Sequence, residues 1–122
     1  MSYKVLVVDD DPYILMSLEF LMKKSGYEVL IARNGAEALD HIYKDHPHLI
    51  LLDIMMPDVD GYEICKTVKT SEDLKDIKVI FLSAKTTEDA IQKGLALGAE
   101  KYVTKPFNTK QLVSDVKQLL GA

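Results

Sequence analysis

The sequence predicts an α/β fold in which a doubly wound parallel sheet carries helices on both faces. Three observations support it. Val5 to Val8, Leu49 to Leu52 and Val79 to Leu82 are uninterrupted apolar runs without polar alternation, the pattern of strands buried on both faces. Glu28 to Ala32 and Lys101 to Thr104 are weaker strand candidates, more polar or shorter, as sheet edges tend to be. Segments of helical periodicity separate all of these, each opened by a capping signal.

Taken in order, Asp11-Pro12 predicts a cap followed by proline in the first helical turn. Ile14, Leu15, Leu18, Leu21 and Met22 then form one apolar face, and Gly26 ends the helix. Asn34 with Glu37, and Asp60 with Glu63, have capping-box spacing ahead of the second and third helices. Thr86 or Thr87 opens the fourth helix, which carries Ile91 and Leu95 and stops at Gly98. Asn108 with Gln111 opens the fifth, with Leu112, Val113, Val116, Leu119 and Leu120 on its apolar face. Right-handed crossovers turn this (βα)5 series into a parallel sheet, and placing the most apolar strands inside gives the order 2-1-3-4-5. That is the flavodoxin-like doubly wound order. Residues 1–122 read as one domain.

Composition narrows the function. Of 122 residues 48% are apolar, enough for a sizeable core without disulfide support. There are 19 acids against 15 bases, a net charge of -4, and Arg33 is the sole arginine. This balance argues against direct nucleic acid binding, against an anionic membrane and against phosphate recognition by an arginine cluster. A single cysteine, Cys65, excludes an intramolecular disulfide and a cysteine-cluster metal site. With neither a signal peptide nor an apolar run near the ~20 residues that span a bilayer, the expectation is a cytoplasmic protein.

In the predicted order the functional crevice lies outside the carboxyl ends of the strands, beside the switch point between the first and third. Asp9, Asp10 and Asp11 follow the first strand, Asp53 ends the third, Ser83 ends the fourth and Lys105 follows the fifth. Two carboxylates ~5 Å apart repel by about 3 kcal/mol at an effective dielectric near 20. Such a group therefore calls for a bound cation or a raised pKa. Oxygen ligands without histidine or thiolate select a hard ion, and so few carboxylates suit Mg2+ with its retained waters. Asp11 reads mainly as the helix cap. His41, His46 and His48 share no metal-ligand spacing, and His46-Pro47-His48 reads as a solvated loop. Cys65 falls in the core, Met55-Met56 is a poor soft-metal site beside hard carboxylates, and the lysines of the fifth helix form a solvated face.

Val7-Val8-Asp9-Asp10, the run from Leu52-Asp53-Ile54-Met55-Met56-Pro57 to Asp58-Val59-Asp60-Gly61, Ser83-Ala84 and Lys105-Pro106-Phe107 together resemble the receiver domain of two-component response regulators, the CheY-like family. The resemblance runs from Tyr3 to the last helix. It implies that Asp53 is the phosphoacceptor, attacking the phosphorus of a phosphohistidine or small phosphodonor. It implies Mg2+ bound by Asp10, Asp53 and the backbone carbonyl of Met55, with Asp9 acting through water. Lys105 would pair with the phosphoryl oxygens across a cis Lys105-Pro106 peptide, Ser83 would bond the phosphoryl group, and Tyr102 would turn inward on activation. Serine stands at position 83 where threonine is commoner, which keeps the hydroxyl and drops a methyl. Met55 and Lys85 would border the path of a hydrolytic water without orienting it, making the phosphorylated form long-lived.

The implied partners are a sensor histidine kinase or phosphotransfer protein, and an output partner or C-terminal effector domain that no residue names. The domain would be no enzyme beyond its own phosphorylation and dephosphorylation. Rival readings meet specific obstacles. A flavin-binding flavodoxin needs a hydroxyl- and glycine-rich phosphate loop where Asp9-Asp10-Asp11-Pro12 stands. A dehalogenase-type phosphatase needs an aspartate where Met55 stands, and a degenerate receiver would lack an acid or the lysine.

Overall fold

The computed structural model describes residues 2–121. Five strands alternate with five helices: β1 (Lys4–Val8), α1 (Pro12–Lys24), β2 (Glu28–Ala32), α2 (Gly35–Asp45), β3 (Leu49–Leu52), α3 (Gly61–Thr70), β4 (Lys78–Ser83), α4 (Glu88–Ala96), β5 (Lys101–Thr104) and α5 (Thr109–Leu120). All pairings are parallel and the order is β2-β1-β3-β4-β5, as the sequence predicts. Val8 stands beside both Ala32 and Leu52, and Ser83 beside Thr104, so the strands end at one rim.

Strand side chains alternate between two cores. On one face Val5, Val7, Leu49, Leu51, Ile80 and Leu82 meet α1 through Leu15, Leu18 and Met22, and α5 through Leu112 and Val116. On the other, Leu6, Ile50, Leu52 and Val79 meet α2 through Ala38 and Ile42, and α3 through Ile64, Cys65 and Val68. Each such Leu, Ile or Val contributes roughly 1.5–3 kcal/mol by leaving water. Burial on both faces is what the unbroken apolar runs encode.

The caps explain where the helices begin. Asp11 accepts from the Tyr13 N–H at 2.9 Å and Asn108 from the Gln111 N–H at 2.9 Å. Thr87 rather than Thr86 caps α4, accepting from the Ala90 N–H at 3.3 Å. The expected capping boxes are replaced by other pairings. Asn34 accepts from the Glu37 N–H, yet the Glu37 carboxylate reaches past Asn34 to the Arg33 N–H at 2.9 Å. Asp60 accepts from the Tyr62 N–H instead of that of Glu63. Nor is His46-Pro47-His48 a solvated loop: Pro47 is buried and the His48 Nδ1 accepts from the Lys4 N–H at 2.9 Å, bracing the start of β1. Lys110 and Lys117 on α5 are exposed, as expected.

Candidate functional site

The ladder runs one residue past the strands, and this fixes the site. The Asp9 N–H donates to the Ala32 carbonyl at 3.2 Å, the Asp53 N–H to the Val8 carbonyl at 3.0 Å and the Lys105 N–H to the Ser83 carbonyl at 2.8 Å. Asp9 and Asp53 are therefore neighbours across the β1–β3 boundary while still held as sheet residues. Behind them Gly61 lies so close to β3 that a Cβ would collide with the Asp53 carbonyl oxygen. Its own N–H donates to the Ile54 carbonyl at 2.8 Å, tying the start of α3 to the end of β3. Glycine is required there by proximity rather than by dihedral freedom.

Asp9, Asp10 and Asp53 each present a carboxylate oxygen within 4.8 Å of the others. Asp9 and Asp53 are buried and Asp10 is exposed. The Lys105 ammonium lies 2.7 Å from Asp9 and 3.6 Å from Asp53, so it bonds the first and faces the second. One Asp9 oxygen takes Lys105; the other accepts from the Asp11 N–H at 2.9 Å. Burial chiefly, and then the Asp9 charge, push the Asp53 carboxyl up to about 6, while Lys105 and a hydrogen bond from the Met55 N–H oppose the rise. One cation against three acids leaves the cluster short of positive charge. An all-oxygen donor set with that deficit fits a hard divalent ion such as Mg2+.

Beside the carboxylates lies an open cleft of about 560 Å³, lined in part by Asp10, Met55, Met56 and Lys85. The Met55 side chain is exposed. Ser83 is buried, and its Oγ accepts from the Lys85 N–H at 3.1 Å. The Tyr102 hydroxyl donates to the Lys85 carbonyl at 2.8 Å, with its ring against Phe81. The Lys105-Pro106 peptide is cis.

Asp58 is a feature that sequence reading passed over. Its carboxylate accepts from the Gly35 and Ala36 N–H groups at the start of α2 and from its neighbour Val59, which lowers its pKa. It pins the loop after Asp53 to α2. No local spacing signals a partner 23 residues away.

The doubly wound order thus sets an acidic rim and a half-buried lysine at the carboxyl ends of the strands, beside the switch point between β1 and β3. The chain belongs to the response regulator receiver domain family, whose sequence model matches residues 5–117. It is thus a phosphoacceptor signalling domain of two-component systems.

Solved structures agree. The receiver domain of a DNA binding response regulator (merR) from Colwellia psychrerythraea 34H is 29% identical, with a TM-score of 0.94 over 99% of this chain and 100% of that one. The BeF3-activated DrrB receiver domain is 34% identical, with a TM-score of 0.91 over 100% of both chains. The chemotaxis protein CheY4 of Vibrio cholerae is 32% identical, with a TM-score of 0.90 over 98% of this chain and 99% of that one. Among the described residues no helix is long and apolar enough to cross a membrane.

Proposed function

We propose that Asp53 is the phosphoacceptor and that this domain works as a Mg2+-dependent switch. It takes its phosphoryl group from the phosphohistidine of a sensor histidine kinase or phosphotransfer protein, or from a small phosphodonor. The observation that carries this reading is the buried Asp53 at the end of β3, beside two further carboxylates and within 3.6 Å of the Lys105 ammonium.

An Asp53 oxygen attacks phosphorus in line as the bond from phosphorus to the donor atom breaks, a ring nitrogen in phosphohistidine or the acyl oxygen in acetyl phosphate, and that atom keeps the electron pair. Although its carboxyl is pushed up to about 6, chiefly by burial, that lies below pH 7, so Asp53 is mainly the ionised nucleophile there. Asp10, Asp53 and the Met55 carbonyl would hold Mg2+, which when bound supplies charge neutralisation for the phosphoryl oxygens. Asp9 has both oxygens engaged, consistent with a contribution through water. Lys105, placed between Asp9 and Asp53, neutralises charge that develops on the transferred group.

The switch follows from population shift. Ser83 gives up its bond from the Lys85 N–H and donates to a phosphoryl oxygen, carrying the Ser83–Lys85 backbone with it. Tyr102 is bonded to the Lys85 carbonyl, so it reports that movement on the outer face of β5. Hydrolysis of the aspartyl phosphate resets the domain. No other reaction is assigned to it.

Incubation with acetyl phosphate and Mg2+ tests the reading by intact-mass measurement. One phosphoryl group is expected on the wild type and none on Asp53→Asn. Uptake that persists in Asp53→Asn, or that needs no Mg2+, overturns it.

A further inference from the structure

Gly94 is the one residue of α4 that is buried, whereas every other helix buries at least three. Two tyrosine hydroxyls add to the little packing that holds α4 and the turn before it. Tyr102 donates to the Lys85 carbonyl at 2.8 Å, and Tyr62 donates to the Ala90 carbonyl at 3.0 Å. The two bonds grip the ends of the segment that leads from β4 into α4. Both rings flank Phe81, with centroids 5.5 Å and 6.0 Å away. Gly94 lets α4 lie on this aromatic row, since a Cβ there would come within 2.9 Å of the Phe81 ring. The Lys93 ammonium adds a cation–π contact, 4.4 Å from the Tyr62 ring centre.

Tyr62 also reaches back to the site. It follows Gly61, which lies on the Asp53 carbonyl and donates to the Ile54 carbonyl. Its N–H is fixed by the Asp60 carboxylate at 2.9 Å. The ring is buried, so its position follows that of the α3 start. The end of β3 is therefore linked to α4 through α3, along a route that starts apart from the one through Ser83. The two touch at Tyr62, whose hydroxyl neighbours that of Tyr102 and whose ring has the Lys85 ammonium 5.8 Å from its centre.

We propose that Tyr62 is a positioning residue whose hydroxyl couples the β3 end to α4, as a second arm beside Ser83 and Tyr102. The inference rests on Asp53 being the phosphoacceptor. Movement at Asp53 and Ile54 is passed to Gly61, and the bond from Tyr62 to Ala90 is the element that is made or broken.

Tyr62→Phe removes the hydroxyl and keeps the ring, its packing on Phe81 and the Lys93 contact. Amide hydrogen exchange of the unmodified protein should quicken roughly five- to tenfold across Glu88–Ala96, the worth of one ordinary hydrogen bond, and stay unchanged in the strands. Beryllofluoride with Mg2+ should then shift amide resonances of Ser83 and Ala84 as in the wild type, with the shifts in α4 cut by half or more. Unchanged exchange in α4, an equal rise everywhere, or undiminished α4 shifts overturns the coupling. A wild type that ignores beryllofluoride overturns the phosphoacceptor reading itself. The exchange experiment, which uses no phosphoryl analogue, distinguishes that failure from loss of the Tyr62 bond.

Discussion

The two ends of the sheet treat buried charge in opposite ways. At the amino end the Lys69 ammonium donates to the carbonyls of Lys75 and Ile77 at 3.3 and 2.8 Å and to the Glu100 carboxylate at 3.0 Å. The second Glu100 oxygen accepts from the Val79 N–H at 2.8 Å, so this pair satisfies itself and braces the entry to β4. At the carboxyl end three carboxylates share Lys105, and the Asp53 carboxyl is pushed up to about 6. The same backbone geometry carries a closed ion pair at one rim and an unbalanced one at the other. Charge is left uncompensated at the rim proposed to take Mg2+ and a phosphoryl group, and compensated where the pair braces the fold.

The largest expected effect tests that contrast directly. Lys69→Ala strands a largely buried carboxylate and should cost about 2–3 kcal/mol in urea unfolding. Lys105→Ala should also destabilise the chain, but millimolar Mg2+ should recover most of that loss and none of the loss in Lys69→Ala. Equal rescue at both ends, or none at Lys105, would break the comparison.

A smaller effect follows from the raised Asp53 carboxyl. Between its ordinary value of 3.8 and about 6 the folded state binds more protons than the unfolded one. Metal-free stability should therefore fall as pH rises through that window and level off above it. Subtracting the melting curve of Asp53→Asn isolates the contribution, and a flat difference between pH 4 and pH 6 would contradict it.

Third comes the lifetime of the phosphorylated form. Met55 and Lys85 line the same cleft as Asp10, and neither accepts a proton from water. Met55→Asn with Lys85→Glu should shorten the lifetime, by up to about tenfold if ~1.4 kcal/mol of barrier is at stake. An unchanged or longer decay of the labelled protein would refute this. The smallest effect is that of Asp10→Asn, which removes one of the repelling charges at its exposed edge. It should raise the metal-free melting temperature by roughly 2–5 °C and abolish the response to Mg2+. No rise would count against a shared acid site.

These contrasts also mark what the sequence could disclose. The strands were legible because burial on both faces leaves apolar runs, and the helices because Asp11, Asn34, Asp60, Thr87 and Asn108 each cap locally. Asp9, Asp10, Asp53 and Lys105 converge because strand ends converge in this order, so topology alone brought them together. Contacts across long stretches of chain were hidden. Lys69 with Glu100, Asp58 with Gly35 and Tyr62 with Ala90 join residues 31, 23 and 28 positions apart. Glu37 and Glu63 show the reverse error: correct spacing for a reciprocal cap, with the carboxylate of the first used by Arg33 and the second left out by Asp60's bond to Tyr62.

The register between β1 and β3, with Val8 beside Leu52, carries a consequence for how such a chain tolerates changes in length. Adding one residue inside either strand would advance its acid by about 3.3 Å and turn it to the opposite side of the sheet. Asp9 and Asp53 would then no longer meet, although both would still be present. An insertion in the connection between α3 and β4, around the exposed Glu72 and Asp73, moves neither. Substitution at the rim changes the chemistry by degrees, whereas insertion in a central strand removes it at once. Tags, reporter loops and new chain ends are best tolerated at the amino edge of the sheet, away from the strand ends that keep the acids in step.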